Sequence, residues 1–152
     1  MTEKKDPRHE ARRVALATLF ERAFHSIRAD ESIALVKELY KEDKVDQKLL
    51  KGIIQGVTEK RKDLDEIITE TAPAWPPDQI NKIDLIALRI AIWELVFSKE
   101  VPPKVAIDEA IEVSKEFGGA SSGAFVNGVL GTVVEKYLEG EEPASKDEYV
   151  EE

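Results

Sequence analysis

Residues 79–97 read QINKIDLIALRIAIWELVF, a stretch that is apolar on nearly every side of a helical wheel. A helix that is hydrophobic all round is buried on most of its surface, so these residues predict the centre of the fold. Asp84 stands out in it, because an unpaired buried carboxylate is costly. We expect Asp84 to lie at the surface, to be paired, or to await a basic partner. We expect Arg89 to form a buried pair with Glu109.

Proline and glycine mark the ends of the helices around this centre. The segment 71–78 contains three prolines, which cannot continue a helix, so the chain must turn there. After a second break, Pro103 suits the first turn of a helix that ends near Phe117, where Gly118–Gly119 can supply a C-cap. Trp75 lies among the first prolines, and we expect it to close one end of a helical bundle rather than to bind a ligand.

Apolar residues at helical spacing predict further helices. The first helix, 8–28, has an apolar stripe that comprises Ala17, Phe20, Phe24 and Ile27 and is widened by Val14, Leu16 and Leu19. A long helix capped by Asp46 has an inner face that comprises Leu50, Ile53, Val57, Leu64 and Ile68. The last helix, capped by Ser121 or Ser122, has an apolar face that comprises Phe125, Val126, Val129, Leu130, Val133 and Tyr137. A short helix through Ile33, Val36 and Leu39 would begin at Asp30 or Ser32.

No strand pattern and no internal repeat interrupts these helices, so the sequence predicts an all-α fold. The turn at 71–78 divides the helices into an N-terminal and a C-terminal group. We expect both groups to share one compact core of about six to seven helices within residues 1–138. The acidic segment 139–152 has too little apolar content to pack, and we expect it to be disordered.

The distribution of charge matters more than its sum. The net charge is −9, and residues 139–152 account for −6 of it. At the other end, residues 4–13 hold five basic side chains against Asp6 and Glu10. Screening limits charge interactions to about 8–10 Å, so a local basic patch can bind phosphate on an acidic protein. The composition therefore disfavours indiscriminate coating of nucleic acid but permits one specific RNA site.

Several kinds of chemistry are disfavoured by what the sequence lacks. It has no cysteine, which excludes a thiolate nucleophile, a Cys-ligated zinc site and a disulfide framework. His9 and His25 are too few and too scattered to predict a metal site, and no nucleophile motif or glycine-rich phosphate loop is present. We therefore expect no enzyme activity, no cofactor and no metal. The charged N-terminal stretch lacks the apolar core of a signal peptide, and no apolar run is long enough for a membrane span, which favours a cytoplasmic protein.

Three ordered stretches resemble the NusB family. The first is ARRVALATLF at 11–20, and the second is LRIAIWEL at 88–95, where the family usually has Tyr at the position of Trp93. The third is VPPKVAIDEAIE at 101–112, followed by Phe117–Gly118 and by FVNGVL at 125–130. Asp108 stands where Asn is usual, and Gly131 where Asp is usual. The order and spacing cover almost all of residues 8–138.

The resemblance implies a fold of two small helical bundles without catalytic activity. NusB proteins pair with the ribosomal protein NusE and bind the boxA element of nascent transcripts. Antitermination complexes on ribosomal RNA operons assemble around that pair, so the implied partners are boxA RNA, NusE and the transcription elongation complex. Some relatives resemble homodimers that would hide the RNA surface, and the sequence does not decide the oligomeric state.

The resemblance also implies which residues contact RNA. At the first helix these are Arg8, His9, Arg12 and Arg13, since guanidinium groups bind phosphate bidentately and stack on unpaired bases. The alternative is a solubilising, partly frayed terminus. Asp6 and Glu10 interrupt the cluster, which predicts modest affinity without the partner.

The implied RNA contacts at the last helix are Ser121, Ser122 and Phe125. An exposed Phe125 would be a stacking platform for bases, whereas the alternative is that it packs inside the helix. Some family members have an acid at the position of Ser121, so a neutral serine relieves repulsion of phosphate. Asn127 and Gly128 are expected to be structural, with the glycine permitting close approach of helices.

Two further residues, Phe20 and Asp84, match positions that face NusE in the family.

Two alternative functions remain open from the sequence. Domains resembling NusB also occur fused to RNA cytosine methyltransferases, so the chain could act as a detached RNA-targeting domain. It could also be a protein-interaction scaffold whose basic N-terminal residues only contact solvent.

Overall fold

The computed structural model describes residues 6–25 and 45–138. The chain divides into two compact units, Met1–Glu59 and Lys60–Glu152. The described residues form helices joined by turns, with no strand among them, as expected for an all-α fold. None of the helices in these ranges is long and apolar enough to cross a membrane. The predicted short helix at 32–39, the segment 139–152 and the residues Lys4, Lys5 and Ile27 lie outside the described residues.

The first unit contains helix α1, Pro7–His25, and helix α2, Gln47–Glu59. The two helices pack together along apolar faces. The buried residues of this interface are Ala11, Val14, Ala15, Leu16, Leu50, Ile53, Ile54 and Val57. Val14 and Leu16 of the predicted α1 stripe are buried as expected, whereas Ala17, Leu19 and Phe20 are only half-buried. The buried face is therefore rotated from the predicted one towards Ala11 and Ala15. Asp46 caps α2 as predicted, since its Oδ1 accepts a hydrogen bond from the Leu49 N–H at 2.9 Å.

The long helix predicted from Asp46 is in fact two helices. Helix α2 ends at Glu59, a turn follows at Lys60, and helix α3 spans Arg61–Thr71 in the second unit. The boundary between the units therefore lies before the proline-rich segment, not within it. Leu64 and Ile68 are buried as predicted, and the apolar period continues through the turn. For that reason the sequence alone does not reveal the break.

The second unit is built around helix α4, Lys82–Ile92, which contacts α3, helix α5 (Pro103–Gly118) and helix α6 (Ala120–Tyr137). A 3₁₀ turn, Pro77–Gln79, precedes α4. At its C-terminal end α4 continues into a π-helix, Trp93–Ser98. Asn81 caps α4 by accepting a hydrogen bond from the Ile83 N–H at 2.8 Å. Nearly every side of α4 is buried, as predicted, and α4 lies at the centre of the second unit.

Arg89 pairs with Asp65 of α3 and not with Glu109 as predicted. Its Nε lies 2.9 Å from Oδ1 of Asp65, and its Nη2 lies 3.0 Å from Oδ2. The prediction was wrong because α3 packs against α4 on the side that carries Arg89. The pair is bidentate but only partly buried, so removal of one partner leaves the other in contact with water and costs less than in a fully buried ion pair.

The turn between α5 and α6 depends on Gly118 and Gly119. Gly119 has φ 97° and ψ 178°, a conformation that is essentially restricted to glycine. A β-carbon on Gly118 would clash with the side chain of Ser122. Because the chain reverses at Gly119, α6 begins at Ala120 and no side chain caps it. The predicted cap at Ser121 or Ser122 is therefore wrong, since both serines lie inside the first turn.

Two further predictions about packing are wrong. A β-carbon on Gly128 would meet nothing within 4 Å, so this glycine does not permit close approach of helices. Trp75 does not close a bundle, because the turn at 72–76 holds it on the surface, where it is 52% exposed. Helical periodicity could not show this, since Trp75 lies in no helix.

Tyr137 of α6 is expected to ionise at unusually high pH. Its hydroxyl donates a short hydrogen bond to Oε1 of Glu70 on α3. This bond, with burial and the negative charges of Glu70 and Glu66, raises the pKa of Tyr137 from 10.0 to about 12. Because the folded state favours the neutral phenol, the resulting stability is present below pH 10.0 and is lost as the pH rises towards about 12.

An ultraviolet absorbance titration of tyrosinate tests this prediction. The difference between the wild type and Tyr137→Phe should show one tyrosine that ionises near the raised value of about 12. Circular dichroism of the same samples controls for loss of helix. A difference curve centred on the ordinary value of 10.0, in samples that keep their helix, would contradict the bond.

Candidate nucleic-acid interface

The first candidate surface is the start of α1 in the first unit. Asp6 caps this helix, because its Oδ1 accepts a hydrogen bond from the Arg8 N–H at 2.9 Å. The acid that interrupts the basic cluster in sequence therefore fixes where the helix begins. The Arg8 side chain projects from this first turn and is exposed, so it is available to an external phosphate.

The other three predicted basic contacts are less available than Arg8. His9 is half-buried, and Arg12 is only 4% exposed. Both already take part in other interactions. Arg13 forms an ion pair with the buried Glu10, with Nη1 2.7 Å from Oε1. Contact with RNA would require Arg12 to leave its present position, whereas Arg8 is already exposed.

The second candidate surface is the first turns of α6 in the second unit. Ser121 is exposed, Ser122 is buried beside Gly118, and Phe125 is half-buried. The Phe125 ring therefore keeps part of its surface in water, which a stacking platform needs. The first turn of α6 has no side-chain cap, so its backbone N–H groups provide positive potential next to Ser121.

Trp75 joins this second surface, although sequence reasoning assigned it a packing role. Its ring meets that of Phe125 edge to face, with centroids 6.4 Å apart and planes at 82°. A tryptophan between prolines was the only signal in the sequence, and nothing there linked it to Phe125. The structure thus brings together Phe125, the serines and one aromatic residue that was not predicted.

The two predicted partner-binding residues lie on different helices. Phe20 is half-buried on α1 of the first unit. Asp84 lies in the first turn of α4 in the second unit and is 8% exposed, so it is not a surface residue. Its Oδ1 has no hydrogen-bond partner among the described residues. Asp84 lies at the positive end of the α4 dipole, which favours a negative charge there. Its Oδ1 can still accept a hydrogen bond.

Comparisons with known proteins agree with the fold. The sequence model that describes the NusB family matches residues 9–135. A transcription antitermination protein NusB of Ruminiclostridium cellulolyticum is 35% identical over 139 residues, which are 91% of this chain and 96% of that protein.

Solved structures of NusB proteins have a similar fold. NusB of T. maritima is 29% identical and has a TM-score of 0.76, covering 95% of this chain and 99% of that one. A crystal structure of the antitermination factors NusB and NusE in complex with dsRNA has a TM-score of 0.75, covering 85% of this chain and 96% of that one. At 23% identity, that second likeness concerns the fold alone.

Proposed function

The chain belongs to the NusB family, and we propose that it is a transcription antitermination factor that binds boxA-type single-stranded RNA together with NusE. The observation that carries this proposal is the match of residues 9–135 to the family. The relatives are bacterial proteins named for antitermination. The proposed role places the protein in the cytoplasm with the transcription elongation complex on ribosomal RNA operons, as an adaptor and not as an enzyme.

The RNA side of the proposal rests on Arg8 and Phe125. Arg8 supplies an exposed guanidinium that can bind phosphate bidentately. Phe125 supplies an aromatic ring for an unpaired base. The uncapped first turn of α6 can receive a phosphate beside Ser121, because backbone N–H groups at a helix start bind anions. Ser122 would support this turn from within. Arg12 would contribute only after rearrangement, whereas His9 and Arg13 would contribute through the exposed part of their side chains.

The partner side of the proposal rests on Asp84 and Phe20. A basic or hydrogen-bond-donating group of NusE would satisfy the Oδ1 of Asp84, which is buried and lacks a partner among the described residues, once a local movement exposes this oxygen. Phe20 would add apolar contact from its half-buried ring. The existence of a complex between NusB and NusE supports this assignment of the partner.

The salt dependence of RNA binding tests the phosphate contacts. If about three phosphates are neutralised, the logarithm of the association constant should fall with the logarithm of salt concentration at a slope near −2, because a single strand contributes about −0.7 per phosphate. We expect Arg8→Ala to make the slope less steep by about 0.7. The measurement is fluorescence anisotropy of labelled boxA-type RNA with NusE present.

A matched control is Arg61→Ala, which removes an exposed arginine of α3 that is not part of either candidate surface. This control should keep the wild-type slope. A slope that does not change with Arg8→Ala would remove Arg8 from the phosphate contacts. A salt-independent isotherm for the wild type would contradict the RNA-binding proposal.

Two measurements distinguish this proposal from the two alternative functions. Deletion of residues 1–9 that leaves RNA affinity unchanged would favour the protein-interaction scaffold. RNA affinity that does not respond to NusE, together with an effect on cytosine methylation of the bound RNA, would favour the detached targeting domain.

A further inference from the structure

Trp75 is the most exposed of the large apolar side chains in the described residues, at 52%. Single exposed hydrophobic residues are common on protein surfaces and need no explanation by themselves. Trp75 differs because its ring contacts Phe125, the residue assigned to base stacking. It therefore extends that surface.

The backbone around Trp75 is held in place. Its N–H donates to the Ala72 carbonyl at 2.9 Å, and the Ala72 N–H donates to the Ile68 carbonyl at 2.8 Å. Pro73, Pro76 and Pro77 restrict the turn further by fixing their own φ angles. The backbone of such a turn needs little further ordering when a ligand covers the ring, which favours binding.

The arrangement of the two rings sets what they can bind. Their planes are 82° apart, so a base stacked on the Trp75 ring would be nearly perpendicular to a base stacked on the Phe125 ring. Adjacent bases in a stacked strand are parallel. A strand that uses both rings must therefore unstack between two nucleotides, which single-stranded RNA can do and a duplex resists.

Trp75 offers contact to a base and not to a phosphate, because its indole ring carries no net charge. An aromatic face can stack a base without neutralising a phosphate. The role of Trp75 should therefore be visible in affinity and not in salt dependence.

We propose that Trp75 is a second base-stacking residue, and that Trp75 and Phe125 form an aromatic corner for two unpaired bases of one RNA strand. This inference rests on the proposed function. It adds a residue and an unstacked conformation of the RNA strand that the sequence did not predict. The angle between the two rings would make the corner selective for single-stranded RNA over duplex.

Affinity and salt dependence together test the aromatic corner. With NusE present, Trp75→Leu should weaken binding of boxA-type RNA about 5-fold, the equivalent of ~1 kcal/mol at 1.4 kcal/mol per tenfold. Its salt slope should equal that of the wild type, in contrast to Arg8→Ala. Trp75→Phe keeps a ring and should recover most of the loss. Because Trp75 is exposed, circular dichroism should show a wild-type fold for both variants.

Tryptophan fluorescence gives a direct second readout. The chain has two tryptophans, so Trp93→Phe leaves Trp75 as the reporter. Its emission should change on addition of RNA to the complex with NusE. The double variant Trp75→Leu/Trp93→Phe serves as the blank for the contribution of NusE.

The outcomes are distinguishable. Wild-type affinity in Trp75→Leu, or a loss of affinity without any RNA-dependent change in Trp75 emission, would overturn the aromatic corner while leaving the proposed function intact. If the wild type with NusE binds no boxA-type RNA, both the corner and the proposed function fail.

Discussion

Phe125→Ala is expected to weaken binding of boxA-type RNA about 5- to 140-fold when NusE is present, because stacking of a base on an aromatic ring contributes ~1–3 kcal/mol. Phe125 is half-buried near the start of α6, and its ring meets that of Trp75 edge to face. Its removal deletes the central ring of the second candidate surface. Fluorescence anisotropy of labelled RNA measures the effect.

Control variants separate stacking from packing. Phe125→Leu keeps an apolar side chain within α6 but offers no aromatic face, so it should behave like the alanine variant in RNA binding and like the wild type in stability. Phe97→Leu changes another half-buried aromatic residue, which contacts Lys60 in the second unit, and should leave RNA affinity unchanged. Wild-type RNA affinity in Phe125→Leu would show that Phe125 is a packing residue only.

Leu88→Ala is expected to lower the free energy of unfolding by about 2–5 kcal/mol, the range for truncating a fully buried leucine. Leu88 is 0% exposed on α4, which contacts α3, α5 and α6. The neighbouring helices cannot all move to fill the cavity, so both transfer energy and packing are lost. Urea denaturation followed by circular dichroism measures the change.

The matched control for this variant is Val105→Ala on α5, where the valine is exposed. Surface substitutions of this kind usually change stability by no more than about 0.5 kcal/mol. Equal effects of Leu88→Ala and Val105→Ala would contradict the central position of α4.

Local patterns in the sequence predicted the helices well, because each helix buries its own apolar face. The all-round apolar stretch predicted α4 as the centre, Asp46 predicted the start of α2, and Pro103 predicted the start of α5. The break at Lys60 escaped prediction because the apolar spacing continues across it.

Contacts between helices were less accessible to sequence reasoning. The partner of Arg89 is Asp65, and this choice depends on which helix lies beside α4, a fact of tertiary structure. The missing side-chain cap of α6 depends on the backbone conformation of Gly119, which lets the helix begin before the serines.

The candidate site was predicted in part. The resemblance to the NusB family pointed to Arg8 and Phe125, and both keep exposed surface. It also pointed to Arg12, whose burial depends on the rotation of α1, and the apolar pattern placed that rotation incorrectly. Trp75 was missed because its contact with Phe125 joins a turn and a helix that are far apart in sequence.

The central claim is that the protein binds single-stranded RNA cooperatively with NusE. Its most direct test is the affinity of the wild-type protein for boxA-type RNA with and without NusE, with a permuted RNA of the same composition as the control. We predict that NusE strengthens binding of the boxA-type RNA at least about 5-fold, within the usual range of coupling free energies, and that RNA strengthens binding of NusE by the same factor. Equal affinity with and without NusE, or equal affinity for the permuted RNA, would contradict the claim.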